Sequence, residues 1–190
     1  LLACSPAERG EAGSSDPVHV EKGQDTMREH GWSEVVEGLQ IRAELPPGPH
    51  HAGDSLLVTL HFRNVGSEPR RIYLLQSEPF RAMQSSFSLL RGEGPPDIQP
   101  EPRPHGVVVG EHDFPELPAK GERSFTQTLV LPRDLSPGPL GVEWTYENRI
   151  ERWQGGVQTL DGPTQALFGG ERIPGIWLGE LSVRFEVVVE

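Results

Sequence analysis

The sequence predicts an all-β protein, an antiparallel sandwich of seven or eight strands with long loop excursions. Three observations carry this. Leu56, Val58, Leu60 and Phe62 are large and apolar, while Thr59, His61 and Arg63 between and beyond them are polar. That is the period of a strand with one face in a core and one in water. The same alternation recurs at Leu39–Leu45, Leu140–Tyr146 and Leu181–Val189. Finally, 22 Gly and 19 Pro in 190 residues interrupt the chain too often for long helices.

The elements follow in order. The domain is expected to start at Trp32, with Glu34–Gly38 a strand or a bend. Leu39–Leu45 turns residues 39, 41, 43 and 45 inward, and Pro46–Asp54 is a loop into the central strand Ser55–Asn64. Asn64-Val65-Gly66-Ser67-Glu68-Pro69 is turn chemistry. Arg71–Leu75 and Ser86–Arg91 are the third and fourth predicted strands. Gly92–His105 is an exposed excursion rich in Pro, Gly and Glu, and Gly106–Gly110 is a short strand. Leu117–Glu122 is a turn into Ser124–Leu131, where Phe125, Leu129 and Leu131 share a face and Gln127 breaks the pattern. Pro132–Pro139 turns into Leu140–Glu147, residues 148–176 form a second excursion, and Leu181–Val189 closes the domain.

Composition narrows the function classes. With 28 acidic and 17 basic residues the net charge is −11, which argues against phosphate-backbone binding and against docking on an anionic bilayer. The single cysteine, Cys4, leaves no intrachain disulfide to hold the fold. No run approaches the roughly 18 apolar residues of a membrane span. The chain opens on Leu1 rather than Met, which suggests a processed product.

Leu1-Leu2-Ala3-Cys4-Ser5 resembles the end of a bacterial lipoprotein signal peptide. The resemblance implies a lipidated Cys4, and Ser5 after it implies the outer membrane. Residues 5–31 are rich in Gly, Ser, Pro and Glu without apolar period, and read as an acidic tether that holds the domain, residues 32–190, off the bilayer. Further on, Gly53-Asp54 leads into the strand ending Arg63-Asn64-Val65-Gly66, Leu117-Pro118-Ala119-Lys120-Gly121-Glu122 precedes another, and Gly175–Leu181 precedes the last. This layout resembles secreted bacterial immunoglobulin-like domains. It is similar also to the pro-domain sandwiches of deuterolysin-type metallopeptidases and to bacterial proteinase-inhibitor sandwiches. These motifs are turns and strand edges, so they imply a fold and little about activity.

No catalytic signature stands out. His-Glu-x-x-His, Gly-x-Ser-x-Gly, P-loop and dinucleotide patterns are absent from the sequence. His50 and His51 read as solvated loop residues, since neighbours in an extended segment point to opposite faces. Glu111, His112 and Asp113 form the densest local set of cation ligands, yet ordinary structural roles are expected there, with no metal and no cofactor. Trp144 and Tyr146 belong in the core. Arg149, Arg152, Trp153, Phe168 and Trp177 combine arginine with aromatics in the 148–177 excursion, the composition of an interface anchor. Trp153 covering the sandwich end is an equal alternative.

The expected function is therefore a lipid-anchored cell-envelope module that binds another envelope protein or a surface glycan, without catalysis. The alternative is a proteinase inhibitor or pro-domain-like chaperone acting in trans, with Gly92–His105 inserted into a cleft and Arg91 and Arg103 as its contacts. An envelope hydrolase ranks third.

Overall fold

The computed structural model describes residues 31–74, 85–92, 96–98, 107–153, 158–160 and 170–190, with 107–109 and 158–160 followed as backbone. The predicted sandwich is present. One sheet has three strands, in the order β1 (Leu39–Glu44), β2 (Ser55–Asn64) and β8 (Glu122–Val130). The other has four, in the order β13 (Gly179–Val189), β9 (Gly138–Asn148), β4 (Ser85–Leu90) and β5 (Asp97–Ile98). All pairings within the two sheets are antiparallel. Three two-stranded ribbons accompany them: β3 (Arg70–Arg71) with β7 (Glu116–Leu117), β6 (Val107–Val109) with β11 (Gln158–Leu160), and β10 (Arg152–Trp153) with β12 (Glu171–Arg172). Among the described residues, no helix is long and apolar enough to cross a membrane.

The alternation read in the sequence is the alternation of burial. Leu56, Val58, Leu60 and Phe62 of β2 face Val142, Trp144 and Tyr146 of β9 and Leu181, Val183 and Val187 of β13 in one continuous core. Phe62 is its centre. Its ring stacks on Phe125 at 5.6 Å and meets Trp144 and Tyr146 edge-on at 6.1 and 5.1 Å. Gln127, which broke the pattern of β8, is buried and purposeful. Its Oε1 accepts from Ser85 Oγ at 2.8 Å and from Trp144 Nε1 at 3.0 Å. A buried indole N–H needs an acceptor, and the facing sheet supplies it.

Three expectations are corrected. Of the predicted third strand, Arg71–Leu75, only Arg71 lies in a regular strand, which begins one residue earlier at Arg70. Ile72 and Leu74 still donate to Pro115 O and Asp113 O, but Pro115 has no N–H to return, so the ladder is one-sided there; Leu75 lies outside the described residues. His50 is buried rather than solvated, because its carbonyl accepts from Glu190 N at 2.8 Å and it bridges Val189 in parallel. The 92–105 excursion is not wholly loop, since Asp97–Ile98 pairs with Ser88 and Leu89.

Two asparagines pin the same pole of the sandwich. Asn64, at the end of β2, accepts from Gly66 N at 2.9 Å, and its Nδ2 lies 2.8, 3.2 and 3.2 Å from the carbonyls of Glu68, Leu117 and Pro118. Asn148, at the end of β9, repeats the device. It accepts from Ile150 N at 2.8 Å and donates to Trp177 O at 2.7 Å. Each central strand thus ends in an Asx turn whose amide ties down a distant loop.

Before β1 the chain makes a tight hairpin. Val36 and Leu39 exchange both backbone bonds at 2.9 Å, and Glu37 and Gly38 between them have φ of 48° and 84°. Two consecutive positive φ values are the turn that matches strand twist. The incoming segment lies antiparallel along β1, with Ser33 N on Ile41 O at 2.7 Å and Trp32 opposite Arg42. Arg63 lies over the Trp32 ring at 4.0 Å and Arg42 at 5.1 Å.

The chain has two tyrosines, and burial pushes both phenols well above their ordinary range. For Tyr73 the neighbouring Asp113 carboxylate adds to this, and the Tyr146 phenol donates to Tyr73 O at 2.6 Å. The unfolded chain therefore loses two protons near pH 10 that the folded chain keeps. Stability is fully present below pH 10 and falls above it, by about 1.4 kcal/mol per pH unit for each tyrosine. Urea midpoints between pH 8 and 11.5 test this; a flat profile above pH 10 would show that the phenols titrate freely.

Candidate partner-binding site

The pole pinned by Asn64 and Asn148 carries a second, smaller core. Tyr73, Phe114, Ile150, Ile173 and Ile176 pack there, with Trp153 and Leu178 against them. Its spine is a run of three rings. Tyr73 stacks on Phe114 at 5.1 Å, and Phe114 meets Trp153 at 5.1 Å. The β10–β12 ribbon sits on this spine. In its register Arg152 lies opposite Arg172, and Trp153 opposite Glu171. Side chains alternate faces along a strand, so Trp153 turns to the body and both arginines turn to water. Ile173 N donates to Glu151 O at 3.0 Å and secures the base of the ribbon.

Charge is layered on this pole. Arg149 Nε bonds Glu147, with the arginine side chain 83% exposed and the glutamate 41%. Arg172 Nε bonds Glu151 at 2.9 Å, with exposures of 69% and 42%. Carboxylates lie beneath and guanidinium groups outside. Such pairs contribute little stability when this exposed, but they hold the arginine heads in place.

The predicted site residues separate. Arg149 and Arg152 are exposed on this pole, and Trp153 is half-buried as the seat of the ribbon. Trp177 is corrected to a core residue. It is 1% exposed, stacks on Tyr146 at 5.9 Å and donates its indole N–H to Val36 O at 3.0 Å. Its backbone N–H and carbonyl are both engaged, by Arg71 O and Asn148 Nδ2, which fixes the ring inward. Phe168, Cys4 and Arg103 lie outside the described residues. Arg172 is the contributor that sequence reasoning missed.

Of the two other candidate places, Glu111–Asp113 is described throughout and Gly92–His105 only at Gly92 and residues 96–98. Glu111, His112 and Asp113 form one 3-10 turn, in which buried Asp113 accepts from Gly110 N at 2.8 Å and lies 3.4 Å from His112 Nε2. No group of three metal-ligating side chains occurs among the described residues. Arg91 faces Asp97 at 3.6 Å and Asp134 at 3.4 Å, so it ties β5 to the turn before β9.

No protein-family model matches the chain, and no curated protein sequence does. Among solved structures it is similar to Spo0M, a sporulation control protein from Bacillus subtilis, at 12% identity and a TM-score of 0.37, covering 82% of this chain and half of that one. It is similar also to AvmM, which catalyses macrocyclization in alchivemycin A biosynthesis, at 11% identity and a TM-score of 0.35, covering 83% and 94% of the two chains. A structural-genomics target, SoR45, matches at 10% identity and a TM-score of 0.33, covering 83% of this chain and 85% of that chain. Likeness at this level speaks for neither activity nor partner.

Proposed function

We propose that this chain is a non-catalytic binding module of a bacterial cell envelope. Lipidated Cys4 holds it at the membrane, and the pole bearing β10 and β12 engages another envelope protein. The observation that carries the reading is the seated ribbon: its aromatic side is packed on Phe114, and its arginine side is displayed to water. Arginine is enriched among residues that dominate interfaces, and a rigid support lowers the entropy lost on binding.

Two experiments test the two halves. In fractionated cells the wild-type protein is expected with the membranes and Cys4→Ala in the soluble fraction; identical partitioning would remove the anchor. Cross-linking in the native envelope, followed by mass spectrometry, is expected to recover one reproducible protein that is lost with Arg152→Glu. Recovery of the same protein with that variant would move the interface elsewhere on the domain.

A further inference from the structure

We propose that the outward face of the β10–β12 ribbon is a carboxylate-binding site, and that the partner presents an acidic peptide segment to it. This rests on the partner-binding reading above. Arg152 and Arg172 are direct cross-strand partners. Opposed residues in an antiparallel pair have Cα atoms about 4.5–5.5 Å apart and side chains on one face. Like charges so placed repel. Arg172 is compensated by Glu151. Arg152 is not: its Nη1 donates to Gly170 O at 3.3 Å, and among the described residues no carboxylate lies within ion-pair distance of it. Among the described residues this guanidinium is held beside a like charge without a carboxylate of its own.

A carboxylate placed between the two heads meets both needs. It relieves the repulsion and accepts paired N–H groups in the fork geometry that arginine offers. A peptide fits better than a sugar. Glycan sites commonly offer an aromatic face for the ring, but Trp153 faces inward onto Phe114. A nucleic acid would face the net charge of −11 with two arginines to oppose it.

The test uses the full chain and two fluorescein-labelled peptides, hexaglutamate and hexaglutamine, followed by anisotropy at low ionic strength. Hexaglutamate is expected to bind at least about tenfold more tightly, the value of one charge-assisted contact. That preference is expected to vanish in the Arg152→Gln/Arg172→Gln double variant and to survive in Arg133→Gln, an exposed arginine on the loop before β9. The double variant should melt no lower than wild type, since it removes a like-charge pair. Equal binding of both peptides, or equal loss with Arg133→Gln, overturns the proposal. Envelope cross-linking separates it from the reading beneath. A partner captured by wild type and not displaced by excess hexaglutamate overturns the acidic segment and leaves partner binding standing. Hexaglutamate bound through Arg152 with no protein captured retains the carboxylate site and overturns the partner.

Discussion

Phe62→Ala is expected to lower stability by about 3–5 kcal/mol. The ring is fully buried and touches aromatic rings from both sheets. Its removal leaves a void between Phe125, Trp144 and Tyr146, and close-packed interiors relax only partly into such a space. In urea the midpoint should fall while the slope stays constant, as expected when the folded and unfolded surfaces are otherwise unchanged. Phe185→Ala is the internal comparison. That ring is only partly buried and among the described residues meets one other ring, Phe87 at 6.3 Å, so its loss should cost clearly less. Equal costs at the two positions would mean that the inter-sheet ring cluster contributes nothing beyond ordinary burial.

Asn64→Asp is expected to be nearly as damaging, by about 3–5 kcal/mol at neutral pH. The amide that now donates toward three carbonyls becomes a carboxylate facing them. An uncompensated buried charge is the expensive kind. The sign of its pH dependence follows. The buried carboxyl of the variant takes up a proton more readily when folded than when unfolded, so its folded pKa lies above the unfolded one. The variant should therefore recover stability as pH falls toward the acid range and lose it as pH rises. Asn64→Ala removes the same donor without adding charge, and its cost should not depend on pH. Midpoints of both variants from pH 4 to 8 distinguish the two cases; parallel curves would show that water reaches the site and solvates the carboxylate.

The parts of the fold that were legible in the sequence are those written in short-range pattern. Leu56 to Phe62 alternates because a strand alternates, and Asn64-Val65-Gly66 reads as a turn because the Asx bond spans two residues. What Asn64 does beyond the turn was not legible, because Leu117 lies 53 residues away in sequence. Gln127 looked like a defect for the same reason: its partners Ser85 and Trp144 come from the opposite sheet. Trp177 was misplaced because its Gly- and Pro-rich surroundings resemble an exposed loop. Such a segment is buried once its backbone groups find partners, and Arg71 and Asn148 provide them. At the candidate site Arg149, Arg152 and Trp153 were visible by composition. Arg172 was not, since only the pairing of β10 with β12 sets it beside Arg152.

The hairpin ahead of β1 has a mechanical consequence. Its free arm begins at Trp32 and runs toward the turn at Glu37-Gly38, so a pull from the N-terminal side acts on the open end of the hairpin. The load then falls on contacts one at a time. The Trp32 ring must leave Arg42 and Arg63 first, then Ser33 must leave Ile41, and only then is the Val36–Leu39 pair strained. β1 itself is loaded last, across a register of six residue pairs with β2. Val36 is also the point where the arm meets the core, since its carbonyl accepts the Trp177 indole N–H at 3.0 Å, so tension that passes Ser33 is handed to the sandwich through Trp177.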